Sequence, residues 1–198
     1  MGLILDFEDG QTPLKEAEKE GLLIKSISTV GDLNEFEQLN IEQAIFWTLH
    51  KSIKSEKLLT DRFILNLHKR MYGQVWKWAG KYRKTEKNIG IHHWEIPGQI
   101  KYLLDDANYW YVNKSFPPNE FAIRIKHRLV SIHCFSNGNG RHSRLYADLI
   151  IEKLYGLPVF SWGSGNLSKE CDPRKTYLNA LKQADQGHFE ELIEFSRS

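Results

Sequence analysis

His133-Cys134-Phe135-Ser136-Asn137-Gly138-Asn139-Gly140-Arg141-His142-Ser143-Arg144 is the stretch on which the reading of this chain turns. Before it, Phe121, Ile125, Leu129 and Ile132 recur at helical spacing. After it, Leu145, Leu149 and Ile150 do the same. Between these runs Gly and Asn are too frequent for helix, so two helices joined by a polar loop are expected. The helix leaving the loop starts with unpaired N–H groups and the positive end of its dipole. Gly138, Asn139 and Gly140 before it would let a phosphate approach the backbone closely. Arg141 and Arg144 are three apart, share a helix face, and suit bidentate contact with one polyanion. His133 stands at the other end of the loop, and imidazole is the side chain best suited to take a hydroxyl proton near neutral pH. A plain interhelical turn with surface ion pairs is the competing reading. No Lys-Ser/Thr pair follows the glycines and no strand pattern precedes them, so the stretch is not a P-loop. His127, His142 and His133 do not form a metal spacing, and His142 reads as a neighbour rather than a catalyst.

Working outward, the remaining pattern is also helical. Asn34 with Glu37 three residues on resembles a capping box, opening a helix to about Ser52 that carries Phe36, Leu39, Ile45 and Leu49. Thr60-Asp61 caps a second helix with the stripe Phe63, Ile64, Leu67 and Met71, and His68 beside it reads as a packed or surface histidine. Val75 to Gly80, with Trp76 and Trp78, reads as a short buried turn. Lys81 to Ile91 breaks the helical period, and its polar middle with Asn88 and Gly90 predicts a hairpin or extended flap. Its basic residues Lys81, Arg83, Lys84 and Lys87 suit an acidic partner segment. Pro97 opens a helix with Ile100, Leu103, Leu104, Ala107 and Tyr111 on its buried face. Helices of about Asn119–Ile132 and Asn139–Tyr155 flank the central loop, the second ending at Gly156. Ser161 to Ser168 is an irregular connection. Asp172-Pro173 opens the next helix, with Tyr177, Leu178, Leu181 and Ala184, and a short last helix holds Leu192, Ile193 and Phe195. The fold class is therefore all-α with one short hairpin. Residues 1–33 form an extension, in which Lys15 to Glu20 reads as a charged surface segment ended by Gly21, and 34–198 form one domain.

The composition narrows the classes of function. The chain has 198 residues, 41% hydrophobic and 26% charged, which is globular. Lys+Arg 27 against Asp+Glu 25 gives no general field for nucleic acid or a membrane surface. Cys134 and Cys171 are too far apart in sequence to suggest a disulfide scaffold or zinc site. No signal peptide and no membrane-length apolar run is found, so the expectation is a soluble, cytoplasmic protein.

The central stretch resembles the signature of the Fic family, His-x-Phe-x-(Asp/Glu)-Gly-Asn-Gly-Arg-x-x-Arg, at every fixed position but one. The Trp78-Ala79-Gly80-Lys81-Tyr82-Arg83 segment with its flap, and the Tyr177 to Gly187 helix, extend the likeness over about residues 34 to 195. Within the family, Asn34 to Ile41 and the Asn-Gly-Asn-Gly-Arg-His core are similar to the small mobile-element-associated members known as mobile mystery protein B. The resemblance implies a Fic-fold helical domain that transfers AMP from ATP to a Tyr, Thr or Ser hydroxyl of a target protein, releasing pyrophosphate. It implies His133 as the base and Phe135 as a buried anchor. Nucleotide phosphates would be bound by Gly138, Asn139 (including its side chain), Gly140, Arg141 and Arg144. Tyr177 and Asp185 would line the adenine site, and Lys84, Thr85, Asn88, Ile89 and Gly90 form the target-binding flap. Asn137 stands where the family has an acidic Mg²⁺ ligand. It offers a neutral oxygen, so Mg²⁺ would lean on the nucleotide phosphates. Gly138 and Gly140 stand where the kinase-type members carry Ala and Lys. The inhibitory motif fails in this chain, since Thr12 and Glu16 are followed by Ala17. This implies restraint by a separate small antitoxin-like partner. Transfer of UMP, phosphocholine or phosphate, or a nucleotide-binding module without activity, are the alternatives.

Overall fold

Start and stop signals set most of the helix boundaries. The computed structural model describes residues 21–27, 29–51, 53–163 and 173–198. The charged segment Lys15 to Glu20, the Thr12–Glu16 pair, most of the 161–168 connection, Cys171 and the Asp172 cap lie outside the described residues. Eight α-helices follow one another within them: α1 Val30–His50, α2 Ser55–Leu58, α3 Asp61–Tyr72, α4 Ile96–Asn113, α5 Pro118–Ile132, α6 Asn139–Tyr155, α7 Pro173–Asp185 and α8 Glu190–Arg197. Thr60 caps α3, its hydroxyl accepting from Phe63 N at 3.2 Å. Gly156 ends α6 in the left-handed region at φ 64°, where its N–H donates to Glu152 O. No helix among the described residues is long and apolar enough to cross a membrane.

The start of α1 differs from the sequence expectation. Thr29, not Asn34, is the cap: its hydroxyl accepts from Asp32 N and its own N–H donates to Asp32 Oδ2, both at 3.0 Å. Both pairs have the box spacing, and Thr29 is the one whose side chain closes it. The expected apolar stripe also faces outward. Phe36, Leu39, Ile45 and Leu49 are exposed, whereas Leu33, Glu37, Asn40, Ile41, Ala44 and Thr48 are buried against the rest of the fold. The buried polar groups are satisfied, as burial demands. Asn40, for example, donates to Arg70 O at 2.8 Å and accepts from Gln74 N at 3.0 Å.

The core gathers around α3, α5 and α6, with α4 packed on α5 and α8 on both α5 and α7. Phe121, Ile125, Leu129, Ile132, Ile64, Leu67 and Ile150 are fully or nearly fully buried there. Each such side chain contributes roughly 1.5–3 kcal/mol of transfer free energy. Trp76 and Trp78 stack at 4.8 Å in the expected buried turn. An isolated antiparallel bridge from Leu22 to Trp76 holds the incoming chain there.

The hairpin does not form. Residues 81–92 carry no strand, and the leading backbone bond of this segment goes to the central loop instead, from Arg83 N to Cys134 O at 3.0 Å. The Arg83 side chain then takes the place of cross-strand pairing. Its guanidinium donates to Thr85 O at 2.9 Å and to Ile91 O, closing the flap on itself.

Candidate active site

The central loop is assembled from both ends. At its entrance α5 ends on His133, which adopts the left-handed conformation at φ 55°, ψ 55°, its N–H donating to Leu129 O. This is a helix stop that glycine usually makes, and a non-glycine residue there costs roughly 1 kcal/mol. Burial of Phe135 offsets that cost: its ring is fully buried and lies 3.7 Å, stacked, from the His68 ring. Asn139 closes the loop by a reciprocal pair. Its Oδ1 accepts from Phe135 N and its Nδ2 donates to Phe135 O, both at 2.9 Å. The Asn139 side chain is thus engaged in the loop, so the N–H groups of the first turn of α6 remain as its contribution to an anion.

His68 is packed, as expected, and it has a task there. Its Nδ1 accepts from Gly80 N at 3.0 Å, which leaves Nε2 to donate to Asn137 O at 3.1 Å. His142 is also fully buried and donates to Ile64 O at 3.1 Å, so it is a packing residue beside Phe135. Gly138 has φ 77°, and a Cβ on it would lie 2.5 Å from the Tyr72 ring, so glycine is required twice over. Gly140 is different: a Cβ there would meet nothing within 4 Å. The space over Gly140 is open, at the positive end of α6.

His133 is brought against the flap. It is 4% exposed, and a Cβ on Gly90 would collide with the His133 Cβ at 2.5 Å. Arg83 binds the same backbone from below, Nε donating to His133 O at 2.6 Å. Burial first, then the positive charges of Arg83 and Lys87, bring the His133 imidazole down to about 4, against a weaker opposing pull from the Val130 carbonyl. His133 is therefore neutral at neutral pH and able to accept a proton. Lys84, Asn88, Ile89 and Gly90 lie exposed along the flap, with Thr85 half-buried. Arg83 does not join them. It is buried, contrary to its expected place among target-facing charges, because three carbonyls converge on it.

The two arginines at the exit are held by different elements. Arg141 donates to Glu37 Oε2 at 2.5 Å and lies over the Tyr72 ring. Glu37, 1% exposed on the inner face of α1, also accepts from Trp76 Nε1 at 2.7 Å. Arg144 lies with its guanidinium carbon 4.5 Å from the centre of the Tyr177 ring and 5.8 Å from that of Trp162. Tyr177 is thus joined to the site, while Asp185, at the far end of α7, is bonded to His127 Nε2 at 2.8 Å. Glu37 and Arg83 are the participants that sequence reading assigned elsewhere. Glu37 was open to discovery, since Glu37, Asn40 and Thr48 form a polar stripe on one side of α1.

Asn137 does not make a resident metal centre. Its Oδ1 accepts from Gly138 N at 2.8 Å and its carbonyl from His68. Among the described residues no group of His, Cys, Asp and Glu could hold an ion. One neutral, already engaged oxygen falls far short of the oxygen shell Mg²⁺ requires, so a cation here would have to arrive with a ligand's own phosphates.

Residues 58–151 match the model of the Fic/DOC family. The protein adenylyltransferase Fic of Nematostella vectensis is 28% identical over 163 residues, covering 80% of this chain and 36% of that protein. Its namesake in Aedes aegypti is 27% identical over 163 residues, covering 80% and 31%. The chain therefore spans about a third of the length of these curated relatives. Among solved structures, Fic-1 from C. elegans superposes with a TM-score of 0.65 at 21% identity, over 88% of this chain and 50% of that one. BepC from Bartonella tribocorum, solved with bound AMPPNP, gives 0.66 at 17% identity over 92% and 97%. These likenesses establish the helical fold.

Proposed function

We propose that the Fic/DOC family domain matched over residues 58–151 makes this chain a protein adenylyltransferase, moving AMP from ATP to a hydroxyl of a target protein. The observation that carries this reading is the placement of the buried His133 imidazole at one end of a loop whose other end is the open, positive start of α6. His133 takes the proton of the incoming Tyr, Thr or Ser hydroxyl, which then attacks the α-phosphorus. The first-turn N–H groups of α6 and the Arg141 and Arg144 guanidinium groups stabilise the charge that grows on the departing pyrophosphate. The side chain of Asn139 serves indirectly, by fixing the loop through Phe135. Lys84, Thr85, Asn88, Ile89 and Gly90 present the target segment over His133, and Gly90 permits the close approach that alignment needs. Tyr177 supports Arg144 and, with Asp185, flanks the nucleotide's base end. The mobile mystery protein B type, and restraint by a small antitoxin-like partner, remain the finer readings that the notable Asn34 to Ile41 segment and the Thr12–Ala17 mismatch favour.

Incubating the purified chain with labelled ATP and cell lysate tests the reading. Label on a protein band, lost in His133→Ala, is expected. A lysate that stays unlabelled across Mg²⁺ and Mn²⁺ would count against transfer. One observation favours a second reading, a nucleotide-binding module without turnover: Asn137 brings no charge to a metal and is engaged within the loop. ATP binding that is the same in wild type and His133→Ala, with no labelled product, would select it.

A further inference from the structure

Lys126 has no part in the proposed transfer. It lies on the inner face of α5 and is fully buried. Its Nζ is 2.5 Å from the Tyr177 hydroxyl and 4.5 Å from the centre of the Tyr177 ring. The Arg144 guanidinium carbon is 4.5 Å from the same ring centre, and Arg144 Nε is buried with no hydrogen-bond partner. Two basic groups thus converge on one phenol, and the carboxylates around them hydrogen-bond to other groups, Asp148 also sensing the Arg144 charge. Asp148 on α6 accepts from Phe160 N and Trp162 Nε1, Asp185 on α7 from His127, and Glu120 on α5 from Arg124. The other basic groups on α5 are Arg124, Arg128, which pairs with Asp106, and His127, whose titration is lowered by burial. Among the described residues Lys126 has no acidic partner. Burial, reinforced by the charge of Arg144, holds its ammonium well below the usual lysine range.

Resting on the reading of Arg144 as a phosphate ligand, we propose that Lys126 is a proton-linked positioning residue of the anion site: a polyphosphate held by Arg144 is accompanied by one proton that Lys126 takes from solvent, with Tyr177 as the link between them. Without ligand, the Lys126 amine is neutral and donates to the Tyr177 oxygen. Phosphate oxygens on Arg144 cancel the repulsion that keeps Lys126 neutral and place negative charge in its low-dielectric surroundings. The amine then gains a proton, relayed by water from the buffer acid, and the resulting ammonium strengthens its bond to the Tyr177 oxygen. One N–H bond forms on Lys126 as the bond to that proton in the buffer acid breaks. The site consequently senses ligand charge, and favours a triphosphate over a monophosphate by more than direct contacts supply. The sign of the pH dependence follows by linkage. Ligand binding takes up a proton, so affinity falls as pH rises between the free and bound titrations of Lys126, by at most about tenfold per pH unit.

Calorimetric titration of the full chain with α,β-methylene-ATP, which cannot give up AMP, tests this in buffers of differing ionisation enthalpy. The work is done at about pH 8.5, above the titration of a terminal phosphate near ~6. Wild type is expected to take up roughly half to one proton per nucleotide. Lys126→Met should bind about tenfold more weakly and take up none, its fold verified by circular dichroism. Tyr177→Phe keeps both basic groups, removes the link, and should lower the uptake; it serves if Lys126→Met does not fold. Wild-type binding without proton uptake, or uptake undiminished in Lys126→Met, overturns the proton link while leaving Arg144 as a phosphate ligand. Absence of any binding heat together with no displacement of a fluorescent ATP analogue overturns the underlying reading of Arg144.

Discussion

Replacing Arg83 by Met should separate the flap from the central loop. The guanidinium serves three carbonyls, those of His133, Thr85 and Ile91, from a position 3% exposed to solvent. His133 O is buried and would keep its unmet acceptor, at about 1–3 kcal/mol. The Thr85 and Ile91 carbonyls lie in half-buried residues and regain water, so each loss is nearer ~0.5–1 kcal/mol. The expected destabilisation is about 3–4 kcal/mol, or roughly 10 °C in Tm for a chain of this size. The substitution also removes the second largest cause of the low His133 titration, after burial. The His133 imidazole, near about 4 in the wild type, should therefore titrate higher, though still below an exposed histidine. Thermal unfolding gives the first quantity, and histidine ring NMR across pH gives the second without relying on any enzymatic activity. Arg83→Lys is the decisive control. It keeps the charge but not the three-way fork, so stability should fall while the His133 titration moves less than in Arg83→Met. An Arg83→Met protein that melts with the wild type, or in which His133 titrates unchanged, would refute the strap.

Other perturbations probe neighbouring parts. Asn139→Ala should cost about 2–3 kcal/mol in chemical denaturation, through two lost bonds to the Phe135 backbone. Gly140→Ala should leave stability unchanged or raised by up to ~1 kcal/mol, since it sits in helix with open space above; its ATP affinity should drop if phosphates occupy that space, and retained affinity would place them elsewhere. Glu37→Leu deprives both Trp76 and Arg141 of their acceptor and should destabilise by about 3 kcal/mol, measured by urea unfolding. Acid should weaken the fold early. His133 and His142 titrate near about 4 when folded, and burial also lowers His68, against ~6.5 unfolded. The unfolded chain therefore binds more protons in that window, and stability falls as pH drops from about 6.5 towards 4, by up to ~1.4 kcal/mol per pH unit for each histidine. Asp148, raised to about 6 by burial, works in the opposite direction and offsets part of the loss. A urea midpoint that does not move between neutral pH and pH ~5 would contradict this.

The helical class and most helix ends were legible because they depend on neighbours in sequence. The stripe Phe121, Ile125, Leu129, Ile132, the Thr60 cap and the Gly156 stop are local in this sense, as is the loop from His133 to Arg144. A side chain three or four residues away, or a glycine that admits positive φ, is information the chain carries in order. Local rules failed where two candidates satisfied them equally, as with the caps at Thr29 and Asn34.

Partners distant in sequence were decided only by the tertiary structure. Glu37 and Arg141 are 104 positions apart and Lys126 and Tyr177 are 51 apart; no periodicity connects them. Arg83 is, by composition, one more basic residue of a polar flap, and packing alone turns it inward beneath His133. Phe36, Leu39, Ile45 and Leu49 look like a core stripe in sequence, yet the polar Glu37 and Asn40 are buried beside Leu33, Ile41 and Ala44, because Trp76, Arg70, Gln74 and Arg141 supply their hydrogen bonds. The sequence by itself determined which chemical groups lie at the loop: an imidazole, a pair of glycines and two guanidinium groups. Tertiary structure determined their state, since burial and the charge of Arg83 lower the His133 titration and separate elements hold Arg141 and Arg144. Burial and desolvation are properties of the packed ensemble of helices, and no single segment carries them.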